Sequence, residues 1–260
     1  MRLIANPQLT STYSLGTACL LIAASLPLTA TADTENRFAW ELETGGAWFS
    51  RNDVRIPNDA GTRFDLMTLT DSGPDPYIRL YASYAFNSRH SVRINLAPLE
   101  VSGTGMLDAP VHFVNSTFAA NTPTQGTFKF NTYRLTYRYQ LPGGERWDWG
   151  VGAALLVRDA KIELHQEDVH EVDDDLGLVP LLHAYGAYRF NNQLSLVLDV
   201  EGAAASAGRA IDASLKFYYQ LPSGLQLSMG YRTLEGGADN DSLYTFAWVH
   251  YAALGVGYTF

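Results

Sequence analysis

The segment Tyr133–Leu141 reads YRLTYRYQL, with Tyr133, Leu135, Tyr137, Tyr139 and Leu141 on one face and Arg134, Thr136, Arg138 and Gln140 on the other. A period of two places successive side chains on opposite faces of an extended chain, so the segment is a strand with one apolar and one polar side. The pattern returns along most of the sequence. Leu215, Phe217, Tyr219 and Leu221 oppose Ser214, Lys216, Tyr218 and Gln220, and Leu225, Leu227, Met229 and Tyr231 oppose Gln226, Ser228 and Arg232. Ile78 to Phe86, Val92 to Leu96, Trp149 to Val157 and Leu194 to Val200 repeat it. Two segments carry it weakly: the first, where Gly45-Gly46 interrupts Trp40, Leu42 and Trp48, and the sixth, Leu182–Phe190, where Ala184 and Gly186 take apolar positions. The pattern predicts an all-β chain of about ten strands.

The connections between these strands alternate in length. Asn87–His90, Pro142–Arg146, Asn191–Gln193 and Pro222–Gly224 are short. Arg51–Pro76, Ser102–Gly126, Glu163–Gly177, Ala203–Arg209 and Glu235–Tyr244 are long. A soluble sandwich has no need of that alternation, whereas a barrel crossing an outer membrane has short turns on one side and long loops on the other. Strands entering the short turns end in aromatic pairs (Tyr84/Phe86, Tyr137/Tyr139, Tyr188/Phe190, Phe217/Tyr219 and Tyr258/Phe260), as rings at a membrane–water boundary would. The apolar content of 47% is dispersed by alternation. Past the first thirty or so residues, no run approaches the roughly 20 apolar residues of a membrane helix.

Residues 1–32 read as a secretory signal: Arg2 is a weak basic start, Leu15–Ala30 is apolar and uncharged, and Ala30-Thr31-Ala32 is a small-residue cleavage site. The barrel is then expected over residues 33–260. Cys19, the one cysteine, leaves with the signal, which removes disulfides, cysteine metal sites and cysteine nucleophiles. Only Arg2 leaves with it among charged residues, so the formal net charge of −9 deepens by one, arguing against nucleic acid as a partner.

The chain ends LGVGYTF, with Leu254, Val256 and Tyr258 alternating before the terminal Phe260. With the strand and turn patterns, this resembles the Gram-negative outer-membrane β-barrel superfamily, at the level of class rather than of a particular family. The resemblance implies an antiparallel up-and-down transmembrane barrel, porin-like in architecture, with periplasmic termini and long extracellular loops. It also implies export through the periplasm to the cell outer membrane, and a monomer partnered by membrane lipid and lipopolysaccharide. Leu254, Val256, Tyr258 and Phe260 would be the signal read by the barrel-assembly machinery.

The polar face assigns an unusual density of charge to the lumen: Arg79, Arg93, Arg134, Arg138, Arg158, Arg189, Lys216 and Arg232 against Glu41, Glu43, Asp199, Glu201 and Asp212. A ten-stranded barrel has little free lumen once arginine and tyrosine fill it, so the first reading is a salt-bridged plug in a structural or surface-interaction protein. The second is a narrow channel for ions or small solutes. The third is a hydrolase at the barrel rim acting on envelope lipid or peptide, in the manner of omptin proteases or lipid A-modifying enzymes. His183, Asp199, Glu201 and Asp212 would be its candidates, since a histidine beside carboxylates activates water. No motif of those enzymes matches residue by residue, no G-x-S-x-G is present, and no cofactor is implied. The oxygen-rich stretches Gln166–Asp175 and Gly236–Asp241 offer ligands to Ca²⁺, although their spacing fits no EF-hand. Arg51, Arg55 and Arg63 suit lipopolysaccharide phosphates.

Overall fold

The structure, a computed structural model, describes Arg37–Phe260 except Ala207; the expected signal peptide lies outside the described residues. Ten strands follow one another: β1 (Phe38–Arg55), β2 (Asp75–Ala85), β3 (His90–Ala97, continued after Pro98-Leu99 by Glu100–Met106), β4 (Pro123–Leu141), β5 (Trp147–Gln166), β6 (Val169–Arg189), β7 (Leu194–Ala205), β8 (Gly208–Gln220), β9 (Leu225–Asp239) and β10 (Tyr244–Thr259). Each pairs antiparallel with the next. β10 returns to β1 in a ladder from Ala39↔Thr259 to Arg55↔Tyr244, so the sheet closes on itself. Closure leaves no open edge along that seam, which is what lets a sheet satisfy its backbone within a membrane.

The alternation read from the sequence decides which side chains face where. Leu135, Tyr137, Phe217 and Leu227 are exposed on the outer wall, while Arg134, Lys216 and Arg232 are buried inside. The short turns gather at one end, ringed by aromatic contacts such as Trp147–Trp149, Trp147–Tyr188, Tyr188–Phe190 and Phe38–Phe260. Gly186 is small because the Trp149 ring lies across it, which explains the weak alternation of the sixth strand. That strand is in fact the longest, at 21 residues.

The long-hairpin end departs from the expected loops. β1 continues to Arg55 past a bulge at Ser50, across which its pairing with β10 goes from Phe49↔Val249 to Arg51↔Trp248. Before the bulge even-numbered residues face outward; after it Asn52, Val54 and Ile56 turn inward and are buried. β5 and β6 run through the stretch read as an acidic loop and leave only Glu167-Asp168 as the turn, Glu167 taking a left-handed φ of 51°. Between β2 and β3 the strands part at this end. The opening is filled by a segment with one helical turn, α1 (Met67–Thr70), whose backbone packs closely on Gly103 and Gly105. Leu66, Leu69, Phe113, Phe118, Phe128, Ile162 and Leu164 join these pieces in an apolar core.

Candidate functional site

The inward face of the barrel collects charge at mid-height, and each group arrives there by strand parity. β1 supplies Glu41 and Glu43, β2 Arg79, β3 Arg93, β4 Arg134, β7 Asp199 and Glu201, β8 Asp212 and Lys216, and β9 Arg232. Arg93 grips Asp199 with two nitrogens at 2.6 and 3.0 Å and reaches Glu201 at 3.0 Å. Arg134 joins Glu201 at 2.8 Å to Asp212 at 2.6 Å. Arg232 then joins Asp212 at 2.6 Å to Glu43 at 3.1 Å, and Lys216 joins Glu43 at 2.7 Å to Glu41 at 2.8 Å. Arg79 adds a cross-link, 3.2 Å from Asp212 and 3.9 Å from Glu43.

The result is a continuous chain of five cations and five carboxylates. Its longest links tie β3 to β7, β4 to β8 and β2 to β8, strands that are not neighbours in the wall, so the network crosses the lumen. Equal numbers of opposite charge matter because an uncompensated ion in a low-dielectric interior costs several kcal/mol. Neutral groups take up remaining hydrogen-bonding capacity: Tyr77 donates to Glu43, Thr136 to Glu201, Tyr218 and Ser228 to Glu41, and Arg232 donates to the Tyr81 hydroxyl. These five were not singled out in the sequence, although each stands at an inward position and parity alone points to it.

Other candidates fall elsewhere. Arg138 stacks on the Tyr185 ring at 4.1 Å rather than joining a carboxylate. Arg158 pairs with Asp175 toward the long-hairpin end, and Arg189 lies 3.4 Å from Asp148 beside the short turns, so neither belongs to the central network. His183, Asp199 and Glu201 do converge, with ligand atoms within 4.8 Å of one another. The cation already between the two carboxylates is the Arg93 guanidinium. His183 Nδ1 stands 3.8 Å from Asp199 and 3.7 Å from Glu201, beyond hydrogen-bonding distance, and has no partner. Asp212 is bound by three arginines and is not in that cluster. The histidine is therefore not joined to a base, and a metal would have to displace Arg93.

The acidic hairpin is also spoken for locally: Glu171 accepts from Ser116 at 2.5 Å, and Glu163 from Lys161 at 2.7 Å and His170 at 2.8 Å. In the second oxygen-rich stretch Asp239 accepts from Asn58 at 3.0 Å. On the outer wall past the bulge, Arg51 and Arg63 share Asp53 at 2.7 Å each, and Arg209 pairs with Glu235. Arg51 and Arg209 lie over the Phe246 ring, and Arg55 and Arg63 over Tyr244. Just below stands an aromatic cluster in which His250 stacks on Trp48 and Tyr231, and Trp248 donates to Thr233.

Two cavities flank the network. One of about 280 Å³ lies on the long-hairpin side, lined mainly by apolar groups such as Leu156, Leu181 and Val249, bordered also by Arg158, Asp173 and Asp175, and with Arg134, Glu201 and Asp212 as its floor. The other, about 220 Å³, is polar and lies toward the short turns, lined by Glu41, Arg138, Tyr185 and Tyr218 among others.

A closed ten-stranded antiparallel barrel with an apolar, aromatic-ringed outer wall and a charged interior is the outer-membrane β-barrel fold. Among solved structures the chain is similar to the outer membrane protease OmpT of Escherichia coli, with a TM-score of 0.51 at 8% identity over 89% of this chain and 99% of that one. Lower similarities are seen to the transport unit of the autotransporter AIDA-I of Escherichia coli and to the attachment invasion locus protein Ail of Yersinia pestis. For AIDA-I the TM-score is 0.43 at 10% identity, over 90% of this chain and 93% of that one. For Ail it is 0.40 at 12% identity, over 86% and 99%. At these identities the likeness is one of fold. No family model and no curated protein matches the sequence.

Proposed function

We propose that the chain is an integral outer-membrane protein whose lumen is plugged, and that it acts through its cell-surface end rather than by conducting solutes. The observation that carries this reading is the ion-pair chain from Asp199 to Glu41. Every carboxylate in it has at least one cation within 3.2 Å, the links span opposite walls, and the charges balance. An ion entering this level has no unpaired charge to exchange with, and opening a path means breaking several buried pairs at once.

The short turns lie in the periplasm in this reading and the long hairpins outside, where their apolar core gives a built surface for contact. The arginines around Tyr244 and Phe246, next to the aromatic cluster, meet lipopolysaccharide phosphates, which suit the planar fork of a guanidinium. The protein is a monomer inserted by the barrel-assembly machinery. The hydrolase reading has less support, because His183 lacks a hydrogen-bonded carboxylate.

Planar-bilayer recording tests the proposal. Refolded protein should insert without resolvable conductance steps, and a variant with Arg93, Arg134 and Glu201 all changed to serine should show them if it folds. Stepwise conductance from the unmodified protein would favour the narrow channel instead.

A further inference from the structure

The wall of the barrel has a second parting, which no strand among the described residues fills. β6 pairs with β7 only from Leu182↔Gly202 to Arg189↔Ser195. Beyond Leu182, β6 runs on for thirteen residues held by β5 alone, while Ala203–Ala205 of β7 pairs only with β8. Among the described residues no strand lies on that edge of β6, in contrast to the β2–β3 parting occupied by α1. The last residues of that edge before Leu182 fall within the apolar band, where an unpaired edge leaves backbone groups unsatisfied, and proteins otherwise cover or avoid such edges.

The parting coincides with the apolar cavity. Its wall includes Val179 and Leu181 on β6 together with Ala210 and Ile211 on β8. Ile211 belongs to the outward-facing series of β8 and Leu181 to the inward-facing series of β6, so residues of both faces line the cavity beside the parting. Outside the mouth stand Leu176, Leu178 and Leu182, at 74%, 67% and 76% exposure the three most exposed large apolar side chains described. Leu178 pairs with Val157, the last apolar outward residue of β5 before Asp159, so the mouth sits at the top of the apolar band. Arg158 and Arg209 border the cavity from opposite sides of the mouth, each paired to one carboxylate and with further N–H groups to donate.

We infer that this cavity takes one acyl chain of an outer-leaflet lipid, entering sideways between β6 and β7 while the anionic headgroup stays at the rim near Arg158 and Arg209. Three observations select that occupant. The exposed lining is mainly apolar, with Arg158, Asp173, Asp175, Arg209 and Glu235 also bordering it, so the part that enters is hydrocarbon. The floor is saturated with ion pairs, so the chain ends there and is not passed through. The mouth opens at the upper edge of the lipid-facing band, where a membrane lipid presents its chain with the headgroup above. The volume of about 280 Å³ is close to the lower end of small-molecule pockets, about 300 Å³, which limits the site to a single chain. The inference rests on the membrane placement proposed above and on the ion-paired floor.

The test uses the full barrel refolded into vesicles containing a phosphatidylglycerol with a diazirine in one acyl chain, followed by photolysis and peptide mapping. Adducts are expected on inward-facing Leu156, Leu181 and Ala210 as well as on outward-facing Leu155 and Leu215. Ala210→Trp, which fills the cavity, should reduce the inward adducts at least tenfold and leave the outward ones unchanged. Should that variant fail to fold, judged by heat-modifiable gel mobility, Leu181→Phe serves the same purpose. A folded, membrane-inserted barrel labelled only on its outer face would overturn the inference while leaving the membrane placement intact. Inward labelling by a diazirine fatty acid but not by the phospholipid would overturn the assignment to a membrane lipid. Inward labelling undiminished by either filled variant would show that the chain lies elsewhere in the lumen and would overturn it too.

Discussion

Arg134 shows what one residue holds in this barrel. It bridges Glu201 and Asp212 at 2.8 and 2.6 Å, and its neighbours in sequence, Tyr133 and Leu135, are exposed on the opposite face. Arg134→Met should destabilise the barrel by about 3–5 kcal/mol, because it leaves buried carboxylates short of a partner. Glu201 keeps Arg93 and Asp212 keeps Arg79 and Arg232, so the lower end of that range is expected, measured by urea unfolding in vesicles. Leu135→Arg, one position away, should cost about 2–4 kcal/mol for the different reason that it sets a charge against hydrocarbon. The two variants separate by context: Arg134→Met should lose part of its effect when Glu201→Gln restores the charge balance of the network, and Leu135→Arg should not. The candidates Arg134, Lys216, Arg232, Glu43 and Asp212 were legible in the sequence because charge at an inward position has few other places to go. Their pairing was not, since partners such as Arg134 and Glu201 are 67 residues apart and meet only across the closed lumen.

Among the elements, β1 carries the features that pattern alone misread. Gly45 has φ +148°, and a Cβ there would run into the Ala252 carbonyl of β10, whereas at Gly46 the nearest atom would be Pro74 Cβ at 3.3 Å. Gly45→Ala should therefore destabilise by about 1–3 kcal/mol and Gly46→Ala by less, in the same unfolding assay. The glycine pair that weakened the strand signal is thus partly a requirement of the strand's close approach to its neighbour. Further along, the Ser50 bulge exchanges inward and outward faces, so a strict period of two ends there and the remaining strand reads as loop. The extension of β5 and β6 through Glu163–Gly177 reads as a loop for another reason. Its acidic residues sit in strands beyond the apolar band, where alternation between lipid and lumen no longer selects side chains.

For the whole molecule, closure depends on the last strand meeting the first. The Phe260 N–H donates to the Phe38 carbonyl at 2.9 Å, and its ring lies 5.6 Å from Phe38 while remaining largely exposed. Contacts this open contribute modestly to stability, so deletion of Phe260 should lower the yield of folded barrel in outer membranes severalfold while shifting the melting point of the folded fraction little. Heat-modifiable mobility of membrane fractions measures both. An equal loss in the two would assign the residue a structural role instead of one in assembly.

The sequence by itself determined the strand count, the inward and outward faces of the regularly alternating stretches and the closed class of the sheet, because all three follow from local periodicity and from the spacing of turns. Tertiary structure alone decided which charges pair, since pairing depends on the stagger with which ten strands close. It also decided that α1 fills the β2–β3 parting, and that the β6–β7 parting opens beside an apolar cavity. These are relations between strands, and a pattern read along one strand does not contain them.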